Sequence, residues 1–226
     1  MTGNQQTVSL LECLVSPWKK DKLVIFLSSV VLLFIGNFLS IVGIFVEILV
    51  VAYLFSVMKK IIVRTGESPE SELGIGDISE CAGETAENFF QFIGVVICFF
   101  WPLILLGWMI RMGNTQWVIP IIVAGVITSW FAPMGLFLVS LYDSLNGLNP
   151  ILVFSMVGRT IGVYAKVGTL FVVLVAGGVA LVLCAYKCIS IGYLQALCQD
   201  IVSVYLLLAS SRLVGLFYFR VKDLVE

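Results

Sequence analysis

The run LVIFLSSVVLLFIGNFLSIVGIFVEILVVAYLFSVM, residues 23–58, carries one formal charge, Glu47, across thirty-six positions. Lys19, Lys20 and Lys22 precede it, and Lys59, Lys60 and Arg64 follow it. At about 1.5 Å per residue a single helix of this length would extend about 54 Å, against a hydrocarbon core of about 30 Å. One straight span would have to tilt beyond the usual range of about 0–40°. Two short spans of about 16–17 residues, folded at Gly36-Asn37, fit the bilayer and return both basic clusters to one face. The segment therefore reads as a helical hairpin with both ends in the cytoplasm.

Composition agrees with a membrane reading. Of 226 residues, 60% are hydrophobic and 12% charged, with a mean hydropathy of +1.09. Soluble domains carry about 25% charged residues, so this chain falls outside that class. It contains no histidine, which removes the commonest general base, metal ligand and pH switch together. The six cysteines form no C-x-x-C pair. Cys184 and Cys188, one helical turn apart, read as small packing residues and not as a metal site.

Outward from the hairpin, an all-α transmembrane bundle of about six spans in a single membrane domain is expected. Residues 8–18 show an apolar stripe through Val8, Leu11, Leu14 and Val15 and read as an amphipathic helix lying in the interface. Residues 65–88 form an acidic cytoplasmic loop with seven carboxylates, in which Asp77 to Glu80 resembles a capping box. Residues 89–141 hold spans three and four, with Pro102 in the third and Pro133 deep in the fourth, where a kink is expected. Residues 142–166 form a second cytoplasmic segment, with an interfacial helix from Ile151 to Tyr164 that carries Arg159 on its polar side. Residues 167–219 hold spans five and six. Small-residue ridges at Ala124, Thr128 and Ala132, and at Ala176, Ala180 and Cys184, suit close helix contact. Gly158 and Gly162 add a short G-x-x-x-G.

The distribution of basic residues tests this layout. Lys19, Lys20, Lys22, Lys59, Lys60, Arg64, Arg159, Lys166, Arg212, Arg220 and Lys222 fall on the side of the N-terminus, and only Arg111 and Lys187 fall opposite. Treating residues 23–58 as one span divides them five against eight. The positive-inside bias selects six spans with both termini cytoplasmic, in a cytoplasmic (inner) membrane.

Asp200 is the ionisable residue expected deepest in the lipid. An Asp at the bilayer centre costs about 2.5–3.5 kcal/mol or more, so it should face the bundle. At 100° per residue, Gln195, Gln199, Asp200 and Ser203 share one arc of the last span. With Glu47 they form the candidate polar intramembrane site. Two readings stand: a proton or cation path using the two carboxylates, or polar groups that hold helices together through hydrogen bonds. Arg212 is placed to snorkel to phosphates or to pair with the acidic loop, and Trp18, Trp101, Trp117, Tyr164 and Tyr186 read as interface anchors. No nucleotide loop, zinc motif or nucleophile elbow occurs, so enzymatic activity, a cofactor and nucleic-acid binding are not expected.

The basic start, the tight first hairpin, Gly66-Glu67-Ser68-Pro69 opening an acidic loop, Pro150 with Arg159, and an ending through Tyr205, Arg212, Gly215 and Tyr218 make up a layout. That layout resembles a broad prokaryotic group of six-span membrane proteins classed as a domain of unknown function. The resemblance implies location and architecture and carries no catalytic residue. The leading expectation is a non-enzymatic integral membrane protein acting as an interaction or organising component. Its partners are the lipid bilayer, a protein at the cytoplasmic face, or further copies of itself in a homo-oligomer. The alternative is a small transporter or channel subunit built around Asp200.

Overall fold

The computed structural model describes residues 14–69, 81, 85–112 and 116–225. Most of the expected interfacial helix over residues 8–18, the acidic stretch with its Asp77 to Glu80 capping box, and turn residues 113–115 lie outside the described residues. The described chain is helical throughout, with no strand. Helices α1 (Lys20–Gly36) and α2 (Ser40–Glu67) come first. Helix α3 (Thr85–Val95) runs through a π-helical turn at Val96–Phe100 into α4 (Trp101–Arg111). Then follow α5 (Val118–Tyr142), α6 (Pro150–Cys188) and α7 (Gly192–Val225). Short 3-10 turns occupy Ser16–Trp18 and Leu145–Leu148. Among the described residues, four helices are long and apolar enough to cross a membrane: Val42–Glu67, Val118–Tyr142, Pro150–Cys188 and Gly192–Lys222. Lys22–Gly36 and Glu87–Phe100 are apolar but shorter.

The opening segment breaks where its small residue sits. Gly36 ends α1, and residues 37–39 turn the chain into α2. Asn37 donates to the Leu33 carbonyl twice, through its backbone N–H at 3.1 Å and its side-chain Nδ2 at 3.2 Å, which ties the turn to the last turn of α1. Gly36 and Gly43 let the two backbones touch, since a Cβ on Gly43 would stand 1.9 Å from the Gly36 carbonyl oxygen. The acidic loop is shorter than residues 65–88, because α2 continues through Glu67 and α3 begins at Thr85.

Proline shapes the next two helices differently. Pro102 has no N–H to offer the Cys98 carbonyl, and the preceding residues widen into the π turn at Val96–Phe100. Pro133 stays inside an unbroken α5. There the hydroxyl of Tyr164, from α6, donates to the Trp130 carbonyl at 2.6 Å, supplying a donor beside the one Pro133 lacks. Its ring meets Trp130 edge-on at 4.9 Å and Phe217 at 5.6 Å. Tyr164 is thus a wholly buried core residue and not an interface anchor.

The separate interfacial helix expected within residues 142–166 is corrected. Asn149 caps and Pro150 starts a single helix of 39 residues that runs without interruption to Cys188. Nothing after Pro150 breaks it, because no further proline occurs before its end. The buried stripe Val153, Met156, Val157, Thr160, Tyr164 and Val167 passes straight through the expected boundary at Lys166. At about 1.5 Å per residue the helix is about 58 Å long, well beyond the bilayer core of about 30 Å.

Two apolar cores hold the bundle. One joins α2, α3, α5, α6 and α7 around Phe55, Phe137, Tyr164, Leu213 and Phe217. The other joins α1, α2 and α7 through Ile25, Phe26, Leu54, Val57 and Leu208. Helices α2 and α7 contribute to both and so run through the middle. On α5, Ala132 is buried and Gly135 admits the Phe99 ring. The ridge Ala176, Ala180, Cys184 is exposed, and α6 meets α7 at Gly178 against Leu206 instead. Among the described residues, nothing lies within 4 Å of the Cβ positions of Gly158 and Gly162.

Candidate functional site

A buried lysine organises one end of the bundle. Lys59, two-thirds along α2, points between α3 and α5, where its Nζ donates to Gln91 Oε1 at 2.9 Å and pairs with Asp143 Oδ1. Asp143 ends α5 in the left-handed conformation, φ 47°, which aspartate tolerates better than most residues. That turn places its carboxylate at Lys59 while its own carbonyl accepts from Gln91 Nε2 at 3.1 Å. Gln91 Nε2 also reaches Glu87 Oε1 at 3.5 Å. The Lys59 side chain is 8% exposed and that of Asp143 63%, so the pair reaches from the bundle to solvent. A cavity of about 280 Å³ opens beside it between α2 and α5, lined by Ser56, Lys60, Arg64, Glu67 and Ser140 together with the ion pair.

The polar residues expected along α7 separate into different contacts. Asp200 is half-buried, and its Oδ2 accepts from Asn37 Nδ2 at 3.1 Å, tying α7 to the turn of the first hairpin. Glu47 lies within electrostatic reach of Asp200 and packs against the Gly36 end of α1. Gln195 instead caps α6, donating to the Ile189 carbonyl at 2.6 Å and the Tyr186 carbonyl at 3.3 Å. Gln199 Oε1 accepts from the Tyr186 hydroxyl at 3.0 Å. Ser203 is exposed. The structure thus brings Asp200, Glu47 and Asn37 together, gives Gln195 and Gln199 to the α6–α7 turn, and leaves Ser203 apart from both.

Toward the other end of α7, Ser211 Oγ donates back to the Leu207 carbonyl at 2.5 Å. Arg212 is buried, donating to Thr65 Oγ1 at 3.0 Å and to the Pro69 carbonyl, which closes the C-terminal end of α2. Cys184 and Cys188 lie on an exposed face with their sulfurs 3.8 Å apart. Among the described residues, no group of three or more Cys, Asp and Glu side chains is placed to hold a metal ion.

The Lys59 centre was not among the expected sites, because Lys59 and Lys60 read together as a flank outside the lipid. The one signal for it was register. Lys59 follows Phe55 by four positions and precedes Ile62 by three, which places it on a buried face of α2.

No family model, curated protein or solved structure matches this chain. Four helices of membrane-crossing length and apolarity make it a multi-pass membrane protein.

Proposed function

We propose that the chain crosses a cytoplasmic membrane six times with both termini inside, and that it is a non-enzymatic interaction or organising component. The short α1 and the α3–α4 pair supply the two further crossings in this reading, and the basic residues supply its orientation. The observation that carries the functional part is how the membrane-level polar groups are used. Gln195 and Gln199 bond to Tyr186 and Ile189 at the α6–α7 turn and Asp200 bonds to Asn37, which supports a role for these side chains in joining helices.

In-membrane crosslinking followed by purification in mild detergent tests the proposal. Defined higher-mass products containing a second protein, or further copies of the chain, are expected. A chain that purifies alone after efficient crosslinking would remove it.

A second reading keeps one specific observation in its favour. Glu47 and Asp200, two carboxylates, lie within electrostatic reach of each other, and Asp200 bonds to Asn37 at the hairpin turn. In that reading the protein is a small transporter or channel subunit. Proteoliposome flux that is present in wild type and lost in Asp200→Asn would establish it; absence of flux in both would dismiss it.

A further inference from the structure

The last turn of α6 presents two thiols to the surface. Cys184 and Cys188 are both exposed, so the packing role expected for them does not hold, and their sulfurs stand 3.8 Å apart. The turn that carries them is pinned from α7. Gln195 Nε2 donates to the Ile189 carbonyl at 2.6 Å and to the Tyr186 carbonyl at 3.3 Å, and the Tyr186 hydroxyl donates to Gln199 Oε1. The Ile189 N–H also closes on the Ala185 carbonyl at 2.9 Å, so helical geometry persists through the second thiol.

That geometry decides between the two things that neighbouring thiols do. Side chains four apart on a helix keep their Cβ atoms about 5–6 Å apart, whereas a disulfide needs about 3.5–4.5 Å. Closing the bond would unwind a turn that Gln195 and the α6 backbone hold. A bridging ion needs no such movement. Two metal–thiolate bonds of about 2.3 Å reach across up to about 4.6 Å, and the observed sulfur separation of 3.8 Å falls inside that limit.

The donor set selects the ion. Thiolates are soft ligands, and the chain has no histidine to add an imidazole. Among the described residues, no third Cys, Asp or Glu side chain is grouped with the pair. Structural zinc and iron–sulfur centres take four protein ligands, which leaves a soft ion of low coordination number, the cuprous ion. Binding is an exchange in which each thiol releases its proton and both sulfurs bond to the metal, with no change of oxidation state. The resulting bis-thiolate is anionic. Lys187, exposed and three positions from Cys184, adds the opposite charge on the same stretch of helix surface.

We propose that Cys184 and Cys188 form a two-thiolate site for cuprous copper at the C-terminal end of α6. The site stands apart from the interaction reading of the whole protein and does not depend on it.

Titration of the full chain in mild detergent with Cu(I), kept reduced by ascorbate and buffered by bathocuproine disulfonate, tests it. The wild type is expected to take up Cu(I) one to one, with sulfur as the nearest shell in copper X-ray absorption. Cys184→Ser and Cys188→Ser should each lose that uptake, because a serine hydroxyl is a hard ligand. Both positions are exposed, so these variants should keep the wild-type melting temperature. Cys98→Ser, at an exposed cysteine in the π-helical turn, should bind as the wild type does. A readout that needs no variant is alkylation by N-ethylmaleimide followed by peptide mass spectrometry, in which Cu(I) should shield Cys184 and Cys188 and not Cys98. Uptake retained by the double serine variant, or no shielding of the pair in the wild type, would overturn the proposal. So would a Cys184–Cys188 disulfide formed in air by the folded chain, or Zn(II) bound at one ion per two chains, which would reassign the thiols to a contact between copies.

Discussion

Replacing Gly43 by alanine puts a methyl group where the first hairpin has no space. Built on the observed backbone, the new Cβ stands 1.9 Å from the Gly36 carbonyl oxygen and 2.9 Å from its carbon. Ordinary van der Waals contact begins near 3.4 Å, so α1 and α2 must part by about 1.5 Å at this crossing. Both atoms are backbone, and no rotamer change relieves the clash. Overpacking of this kind costs about 1–3 kcal/mol, and a backbone clash belongs at the upper end. For a chain of this length about 3 kcal/mol corresponds to a fall in melting temperature of about 6–12 °C. Gly36→Ala is the graded comparison: its Cβ meets Glu47 Cγ at 3.2 Å and the Gly43 oxygen at 3.4 Å, and the Glu47 side chain can swing away. Its expected cost is under about 1.5 kcal/mol. Gly158→Ala meets nothing within 4 Å among the described residues, so the better helix propensity of alanine should stabilise by about 0.5–1 kcal/mol. Melting of the three variants and wild type in one detergent, followed by tryptophan fluorescence, reads the series. The reasoning is refuted if Gly43→Ala melts with the wild type, or if Gly158→Ala proves the most damaging of the three.

Asp143→Asn leaves Lys59 buried with Gln91 as its remaining described partner. Breaking a fully buried pair costs about 3–5 kcal/mol, but the 63% exposure of the carboxylate reduces the expected loss to about 1–2 kcal/mol, measured by thermal melting. Tyr164→Phe removes the hydroxyl that serves the Trp130 carbonyl while keeping the ring contacts, and should cost about 1–3 kcal/mol in the same assay. Arg212→Ala withdraws two charge-assisted donors from Thr65 and Pro69, at about 1.5–3 kcal/mol each. Limited proteolysis should then cut faster just after Pro69, and an unchanged cleavage pattern would show that Arg212 does not hold the end of α2.

What the sequence made legible follows from which forces are local. The turn at residues 37–39 was visible because chain length against bilayer thickness, with lysines at both ends, admits few solutions. The continuity of α6 was not visible for an opposite reason. Arg159 and Lys166 suggested a polar face and hence a boundary, whereas the absence of a breaker after Pro150 carried more weight. A charged side chain every seven residues on the exposed side of a helix does not end it, since only the side facing the core sets its path. The buried stripe from Val153 to Val167, at spacings of three and four, was the better guide.

The same distinction separates the two candidate sites. Asp200 attracted notice because one carboxylate within an apolar run is locally anomalous, and the structure gives it a partner 163 positions away, in the hairpin turn. Lys59 is no anomaly in sequence, because a basic residue at the end of a span is what the positive-inside rule leads one to expect. Its burial depends on Gln91, 32 positions on, and Asp143, 84 positions on, which share no pattern with it. A lysine that merely flanked the lipid would reach toward water. This one turns inward, and holding it there requires a left-handed aspartate at the end of α5 and a glutamine that bridges to that same residue's carbonyl. Two side chains, Gln91 and Asp143, thus constrain one cation at the mouth of the α2–α5 cavity. Lys60 and Arg64 line that cavity within a turn and a half of Lys59. The ion pair therefore ties the middle of the bundle to the end of α5, through contacts that only the folded chain brings together.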